Sequence, residues 1–292
     1  MAIGEIWTVG RLLQWTTQYL RQRGVSNPRL EAELLLAEAI GCTRIDLYTS
    51  FDQVASDAVR ARFRELVRRR AAGEPVAYLL GRKEFYSLSF YVTPDVLIPR
   101  PETELLMVAL LDIVKQAGWD GPIDICDVGT GSGILAVCAA KYLPTARVWA
   151  VDQSPKAIQV ARLNCQQHGV HDRVRLVAGD LLSWLGPEVR LHVILSNPPY
   201  VSEAEWQMLH REVREHEPRQ ALVAGPTGTE LIARLVPQAA EHLQPGGWLL
   251  VEISPMIHDH VQAIFRQDTR WQLGPTVFDS ARLPRVIQAQ LR

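Results

Sequence analysis

The sequence lacks any long apolar run, any leader-like start and any paired cysteine motif. No stretch reaches the roughly 20 apolar residues that a membrane-spanning helix needs, and residues 1–10 lack the basic start and cleavage site of a signal peptide. The four cysteines are dispersed without a Cys-x-x-Cys pair and are predicted to be buried free thiols: Cys42, Cys126, Cys138 and Cys165. These absences predict a reduced, cytoplasmic protein with no membrane partner.

The sequence also lacks an excess of charge of either sign. Its formal net charge is −1, which gives no general attraction to nucleic acid. Within residues 1–80, eleven arginines face nine acids, a net charge of +2. We therefore interpret one arginine-rich stretch as a solvated helix face rather than a docking surface for an acidic partner; it contains Arg60, Arg62, Arg64, Arg68, Arg69 and Arg70.

The histidines show no spacing typical of metal ligands. His258 and His260 are two residues apart and cannot share a helix face. His210 and His216 have no cysteine or histidine partner at a ligand spacing. No metal site is predicted.

Three regions follow one another along the chain. Residues 1–83 carry apolar residues at helical spacing, for example over residues 56–72, and predict a small helical bundle. Residues 84–98 are rich in aromatic and β-branched residues and predict a short hairpin linker. Residues 99–292 form the third and largest region.

In the third region, apolar strands alternate with helices. The predicted strands cover residues 123–128, 147–151, 174–178, 192–196 and 248–253, and residues 271–277 and 285–290 are predicted to close the chain as a hairpin. Alternation of this kind predicts an α/β fold, in which a doubly wound, mostly parallel sheet has helices on both faces.

A glycine-rich loop follows the first of these strands. In Gly129-Thr130-Gly131-Ser132-Gly133, the glycines allow backbone conformations closed to other residues and the close approach of a ligand. Asp152 ends the next strand, where an acid can accept both ribose hydroxyls of a nucleoside. Asp180 follows the third strand and is placed to reach an adenine amino group. These residues predict an adenosyl ligand.

The spacing of the glycines favours one adenosyl cofactor over another. The dinucleotide fingerprint is Gly-x-Gly-x-x-Gly, in which a helix N-terminus faces a pyrophosphate. Here the spacing is Gly-x-Gly-x-Gly, with Ile134 next. S-adenosylmethionine carries no phosphate and needs room for a sulfonium and an amino-acid tail. The loop therefore favours S-adenosylmethionine, with S-adenosylhomocysteine as the product.

The tetrapeptide Asn197-Pro198-Pro199-Tyr200 follows the fourth strand and suits a planar nitrogen as substrate. An amide or aryl-amine nitrogen is a poor nucleophile, and an enzyme must hold its N–H groups with acceptors so that the lone pair can point at the methyl carbon. The Asn197 side-chain oxygen and the Pro198 carbonyl are two such acceptors, and two prolines hold them rigidly. Tyr200 can lie against the flat target group. We predict catalytic roles for Asn197, Pro198 and Tyr200, and the tetrapeptide alone leaves amide and nucleobase open.

The chain resembles the release-factor glutamine methyltransferases of the HemK/PrmC type over nearly its whole length. The resemblance includes Ile98-Pro99-Arg100-Pro101-Glu102-Thr103-Glu104, which is its most specific segment, the glycine loop, the Asn-Pro-Pro-Tyr tetrapeptide and Glu217-Pro218. It implies a Rossmann-like methyltransferase sheet and methylation of the side-chain amide nitrogen (N5) of the glutamine in the Gly-Gly-Gln motif of class-one peptide-chain release factors. It also implies that the N-terminal bundle helps to dock that protein.

The resemblance also implies site residues. The cofactor would contact Gly129, Thr130, Gly131, Ser132, Gly133, Asp152 and Asn197, and the glutamine would be held by Asn197, Pro198, Pro199 and Tyr200. From their positions after the third strand, Asp180 and Leu181 are also predicted to contact the cofactor. Two positions depart from the family pattern. Leu181 stands where some members carry an aromatic residue against adenine, and Glu252-Ile253-Ser254-Pro255 lacks the usual glycine and nearby glutamine.

Two other functions fit part of the pattern. An adenine- or guanine-N methyltransferase would need a basic cleft and a nucleic-acid recognition module, which the neutral charge and helical N-terminus disfavour. A non-catalytic adenosyl-binding scaffold is disfavoured by the intact Asn197 and its prolines. We expect a monomer without a nucleic-acid substrate, and Arg100 and Glu102 are expected either to shape the site entrance or to pair with each other.

Overall fold

Helices with apolar stripes form the first of two units in the computed structural model, which describes residues 6–119 and 121–292. This unit runs to Gly81 and also contains a short helix of residues Arg211–His216. Its first five helices are α1 (Val9–Gln22), α2 (Pro28–Ile40), α3 (Asp46–Thr49), α4 (Asp57–Ala71) and α5 (Val76–Leu80). Leu13 and Leu20 of α1 pack with Leu35 and Leu36 of α2 in a buried core, so the predicted apolar stripes meet one another.

The arginines of α4 pair with acids of the same unit. Arg62 bonds to Glu38 at 2.8 Å, Arg68 bonds to Glu65 at 2.6 Å, and Arg60 and Arg69 pair with Asp57 and Glu74. Arg70, which we expected on the solvated face, is instead buried, and it bonds to Glu31 at 2.5 Å and to Glu212 at 2.8 Å. Much of the positive charge of this helix is therefore neutralised within the unit.

The second unit begins with a hairpin and continues as a three-layered α/β domain. Its strands are β1 (Arg82–Phe85), β2 (Leu88–Tyr91), β3 (Ile123–Val128), β4 (Ala146–Asp152), β5 (Val174–Ala178), β6 (Leu191–Ser196), β7 (Val201–Ser202), β8 (Val223–Gly225), β9 (Leu243–Glu252), β10 (Trp271–Leu273), β11 (Val277–Phe278) and β12 (Pro284–Leu291). Its helices are α6 (Glu104–Ala117), α7 (Ile134–Tyr142), α8 (Pro155–Gln167), α9 (Glu203–Met208), α11 (Glu230–His242) and α12 (His258–Arg266), and the Arg211–His216 helix of the first unit is α10.

The central sheet runs in the order β10-β12-β9-β6-β3-β4-β5, and β11 pairs with β12 at its side. Strands β3, β4, β5, β6 and β9 are parallel, whereas β12 is antiparallel to its neighbours. Strand order diverges from β3, with β4 on one side and β6 on the other. A ligand of such a sheet binds outside the carboxyl ends of the two strands at this point.

Both faces of the sheet are covered by helices. Ile125 and Val193 point to a core formed with α6 and α7, whereas Val128 and Ile194 point to a second core formed with α11 and α12. Alternate strand residues thus face opposite layers, which confirms the predicted doubly wound α/β fold.

Three predicted elements, a hairpin and two strands, differ in extent from the observed ones. The hairpin begins at Arg82 and ends at Tyr91 rather than spanning 84–98, because Tyr86 and Ser87 form its turn with φ of 48° and 60°. Strand β9 starts at Leu243, five residues before the expected start at 248. The predicted strand 271–277 is divided, since Pro275 separates β10 from β11. Within the described residues, no helix is both long and apolar enough to cross a bilayer.

Candidate active site

A cleft opens at the carboxyl ends of β3, β4 and β6, and most of the predicted site residues line it. These are Gly129, Thr130, Gly131, Ser132, Asp152, Asp180, Leu181, Asn197, Pro198 and Pro199. Gly133 and Tyr200 are not among the lining residues. Gly133 instead lies against α8, where a Cβ atom would stand 3.2 Å from the Cβ of Ala161, so its role is close helix packing.

The glycine loop is pinned to the end of β4. Gly129, Gly131 and Gly133 have φ of 77°, 54° and 83°, a left-handed conformation that disfavours residues with a Cβ atom. The amides of Gly129 and Thr130 both donate to the Val151 carbonyl at 2.9 Å. The loop therefore presents bare backbone to the cleft in a fixed shape.

Asp152 joins this loop to the next helix. Its Oδ2 accepts from the Gly131 amide at 2.9 Å and its Oδ1 from the Ser154 amide at 2.8 Å. Burial raises the pKa of the carboxyl, while these two backbone hydrogen bonds oppose the rise. Ser154 caps α8 through its own side chain, so Asp152 keeps lone pairs for a ligand in the cleft.

Asp127, at the end of β3, is a buried carboxyl that we did not predict as a site residue. Its Oδ2 accepts from the Thr130 hydroxyl at 2.6 Å and from the Ala136 amide at 3.1 Å, and its Oδ1 has no hydrogen-bond partner among the described residues. Burial raises its pKa to about 7. It supports the glycine loop through Thr130, and the presence of an acid two residues before the loop is the sequence signal that could have indicated this role.

Asp180 and Leu181 form the far wall of the cleft. Asp180 pairs with Arg234, so its carboxylate is partly engaged. Leu181 has a φ of 50°, and its carbonyl accepts from the Trp184 indole at 2.9 Å. Leu181, an aliphatic residue, therefore lines the cleft at the position where some family members carry an aromatic residue.

The Asn-Pro-Pro-Tyr segment stands beside the glycine loop. The Ser196 hydroxyl donates to the Val128 carbonyl at 2.8 Å and joins the ends of β6 and β3. The Asn197 carbonyl oxygen would lie 3.8 Å from a Cβ atom at Gly129. The Asn197 Nδ2 atom donates to Thr103 Oγ1 at 3.0 Å, so Oδ1 is the atom of this amide that can accept from a ligand.

Tyr200 turns away from the cleft. Its hydroxyl donates to Glu252 Oε1 at 3.2 Å, and burial raises the pKa of the phenol, as does the nearby carboxyl. Glu252 is 2% exposed, and burial raises its pKa to about 7. Its Oε2 has no hydrogen-bond partner among the described residues, although the Thr103 hydroxyl is close enough to the carboxyl to lower its pKa.

A second buried acid holds the loop before α6. Glu217 accepts from the Arg100 guanidinium at 2.5 Å and from the Ile98 amide at 3.1 Å. Arg100 lines the cleft and pairs with Glu217, so of the two alternatives the one in which it pairs with Glu102 is wrong. Glu217 belongs to one of the segments that carry the family resemblance, but the sequence did not predict that it supports this loop.

Titratable residues elsewhere form no metal centre in the part of the chain that the structure describes. His258 bonds to Asp259 at 2.9 Å and to Thr276 at 3.2 Å, which are ordinary surface contacts. The cysteines are free, and burial raises the pKa of Cys138 and Cys165 to about 12.

Two family models match the chain. Residues 11–81 match the PrmC N-terminal domain, and residues 103–225 match the methyltransferase small domain. The second match contains the glycine loop, Asp152 and the Asn-Pro-Pro-Tyr segment.

Relatives that are named release factor glutamine methyltransferases match most of the chain. A release factor glutamine methyltransferase of Rhodopirellula baltica is 47% identical over 285 residues, which are 97% of this chain and 96% of the relative. Another, of Geobacter sulfurreducens, is 46% identical over 249 residues, 85% of each chain.

Among solved structures, the T. thermophilus 16S rRNA N2 G1207 methyltransferase (RsmC), in complex with AdoMet and guanosine, is similar with a TM-score of 0.51 and 19% identity. The match covers 72% of this chain and 50% of that one. At this identity the likeness shows the fold alone.

Proposed function

The chain belongs to the family of release factor glutamine methyltransferases, and from this premise we propose that it transfers a methyl group from S-adenosylmethionine to the side-chain amide nitrogen (N5) of the glutamine in the Gly-Gly-Gln motif of class-one peptide-chain release factors. The observation that carries the proposal within the site is the orientation of Asn197. Its Nδ2 atom is engaged by Thr103, so Oδ1 is left to accept from a substrate amide.

The cleft fits the proposed cofactor. The bare backbone of Gly129 and Gly131 allows close approach of the amino-acid tail, and the Asp152 carboxylate can accept from the ribose hydroxyls. Leu181 and Asp180 offer an apolar surface and an acceptor for adenine. When bound, S-adenosylmethionine supplies an electrophilic methyl group on a positively charged sulfur.

The substrate would be held by acceptors at two points. Asn197 Oδ1 and the Pro198 carbonyl would each accept one N–H of the glutamine amide, so that the nitrogen lone pair points towards the methyl carbon. Held in this way, the amide nitrogen would take the methyl group from the sulfonium as the carbon–sulfur bond breaks, and would release one proton to water. The prolines keep these acceptors in place before the substrate arrives.

Tyr200 would contribute differently from the initial prediction. Its hydroxyl is bonded to Glu252, so the ring is anchored under the segment. We propose that it supports the backbone of Pro198 and Pro199, and that any contact with the glutamine comes from the ring edge.

The first unit would help to bind the release factor. Residues 11–81 match the PrmC N-terminal domain, and the unit exposes large apolar side chains, among them Trp15, Ile45 and Tyr48, of a kind that protein interfaces use. We propose a docking unit over residues 1–83, a linker over 84–98 and a catalytic domain over 99–292. We propose that the enzyme acts in the cytoplasm, where release factors are found, and that it acts as a monomer.

A labelled methyl-transfer assay tests the function. Purified protein and labelled S-adenosylmethionine are incubated with a release factor, with the same factor carrying alanine in place of the Gly-Gly-Gln glutamine, or with bulk RNA. We expect label on the intact release factor alone. Label on the alanine form or on RNA would contradict the proposal, and the RNA arm also tests the nucleobase alternative that the tetrapeptide alone leaves open.

A further inference from the structure

A line of four polar side chains adjoins the Asn-Pro-Pro-Tyr segment, and two of its members, Thr103 and Glu252, make no contact with the substrate in the proposed reaction. Within this line Asn197 bonds to Thr103 and Tyr200 bonds to Glu252, and the Thr103 hydroxyl is close enough to Glu252 to lower the pKa of that carboxyl. Thr103 and Glu252 are both buried, at 0% and 2% exposure. Water has little access to groups buried to this degree, so the hydrogen bonds that they make are mainly with one another.

The hydrogen bonds in this line have a direction. A carboxylate can only accept, and a threonine hydroxyl has one proton to donate. Since the Thr103 oxygen accepts from Asn197 Nδ2, its own proton can turn towards the adjacent Glu252 carboxylate. Tyr200 donates to the same carboxylate at 3.2 Å.

If donor and acceptor were exchanged between Thr103 and Asn197, the side-chain amide of Asn197 would have to rotate by about half a turn. If Thr103 donated to Asn197, the amide oxygen would face Thr103, and the NH₂ group would face the cleft. Two donors would then meet where the substrate N–H groups are expected. The ionised carboxylate of Glu252, which can only accept, prevents this arrangement.

We propose that Glu252 is a positioning residue, which orients the Thr103 hydroxyl and thereby keeps the Asn197 side-chain oxygen directed at the substrate amide. The inference rests on the proposed function for the identity of that amide, but the orientation of Asn197 can be measured without it. Glu252 also anchors Tyr200, so the carboxylate supports both ends of the segment.

The charges around Glu252 come from several elements. Glu102, just before Thr103, raises the pKa of Glu252, and Arg285 of β12 lowers it. Burial is the larger cause and brings the pKa to about 7. Above this pH the group is an acceptor only, whereas the protonated form carries a hydroxyl that can donate to Thr103.

Kinetics of matched variants test the proposal. Glu252→Gln keeps the volume but adds a donor, and Thr103→Val removes the hydroxyl that Thr103→Ser retains. We expect Glu252→Gln and Thr103→Val to lower kcat on a release factor by about tenfold or more, and the affinity for S-adenosylmethionine to stay within about twofold. Thr103→Ser should retain more of the rate than Thr103→Val.

Nuclear magnetic resonance observes the amide itself. The sequence contains three asparagines, Asn27, Asn164 and Asn197, so nitrogen-15 labelling of asparagine gives three pairs of side-chain signals. Asn197→Ser identifies the pair that belongs to Asn197. We expect Glu252→Gln to shift this pair and to leave that of Asn27 in place.

Several results would overturn the inference. A kcat for Glu252→Gln within about twofold of the unmodified enzyme, an unmoved Asn197 signal, or equal rates for Thr103→Val and Thr103→Ser would each do so. If Glu252→Gln does not fold, the rates and the Asn197 signals of Thr103→Val and Thr103→Ser decide whether the inference holds. If the unmodified enzyme does not methylate a release factor, the proposed function fails, while the Asn197 signal still decides whether Glu252 orients the amide.

Discussion

At the scale of single residues, Asp152 shows how one carboxylate can serve both the fold and a ligand. It accepts from Gly131 and Ser154, and a carboxylate has about four lone-pair sites. The remaining sites face the cleft, because Asp152 lines it. The same group therefore shapes the glycine loop and offers acceptors for ribose hydroxyls.

We predict that Asp152→Ala weakens S-adenosylmethionine binding far more than it slows the chemical step. Hydrogen bonds to a charged group contribute about 1.5–3 kcal/mol each, so loss of the contacts to both ribose hydroxyls should raise Kd by about 100-fold or more. Titration calorimetry with S-adenosylmethionine and S-adenosylhomocysteine measures the change, and kcat at saturating cofactor should fall much less.

Asp95→Asn is a matched control for that experiment. Asp95 also lines the cleft, but it is paired with Lys156 at 3.1 Å at the exposed rim. Its substitution should change the affinity by less than about threefold, since exposed ion pairs contribute little. Equal losses for Asp95→Asn and Asp152→Ala would contradict a specific ribose contact.

Residue positions were predictable from the sequence where they follow a strand, and much less so where they depend on distant partners. Asp152 and Asn197 each stand at the end of an apolar run, and the carboxyl ends of parallel strands meet at one edge of the sheet. Thr103 contacts Asn197 across 94 positions of chain, and Glu252 contacts Tyr200 across 52. No local pattern marks such a pairing, so the support under the segment was seen only in the structure.

At the scale of elements, the loop between β8 and α11 packs closely on the substrate segment. Gly228 has a φ of 83°, and a Cβ atom there would lie 2.5 Å from the Tyr200 carbonyl oxygen. Contacts under about 3 Å force atoms to move. This glycine therefore allows the loop to reach the backbone of Tyr200.

We predict that Gly228→Ala lowers both stability and activity. The added methyl group must displace the Tyr200 backbone, and the left-handed conformation adds about 1 kcal/mol of strain. We expect the free energy of unfolding to fall by about 2–4 kcal/mol. Urea unfolding and the methyl-transfer assay check the two effects.

Gly246→Ala separates steric displacement from backbone strain. Gly246 has a similar φ of 80°, but its nearest neighbour to an added Cβ atom is 3.9 Å away. In this variant the free energy of unfolding should fall only by the backbone strain of about 1 kcal/mol, and the activity should be kept. If both variants behave alike, close approach at Gly228 is not important for the site.

Elements were easier to predict than their ends. The strands before the glycine loop and before Asn197 match closely, because fully buried parallel strands are continuous apolar runs. The hairpin was displaced, since its turn is made by Tyr86 and Ser87 in left-handed conformations without the usual glycine or asparagine. Strand β9 was cut short in the prediction because it passes through Pro245, Gly246 and Gly247, residues that ordinarily end strands.

At the scale of the whole molecule, two buried carboxyls predict how stability depends on pH. Burial raises the pKa of Asp127 and of Glu252 to about 7, from 3.8 and 4.5. The folded state then holds protons that the unfolded state releases. The stability from these groups is fully present below the unfolded values and is lost as pH rises through 7.

We therefore predict that the free energy of unfolding falls as pH rises from about 5 to about 7, by at most ~1.4 kcal/mol per pH unit for each group. Urea unfolding at several pH values measures this slope. The glutamine of the Glu252→Gln variant cannot ionise, so the dependence of the free energy of unfolding on pH should be weaker in this variant. A slope that is unchanged in Glu252→Gln would show that this carboxyl is ionised throughout the range.

The Arg211–His216 helix gives the chain an unusual division. It belongs to the first unit although the residues on both sides belong to the second, and its Glu212 bonds to Arg70 at 2.8 Å. A single cut after Gly81 therefore cannot release two intact parts. The larger fragment would keep a helix whose arginine partner has gone, and the smaller would lose an acid beside a buried guanidinium. Each unit is compact, but neither is continuous in the sequence. Recombination at one junction therefore could not exchange either unit whole.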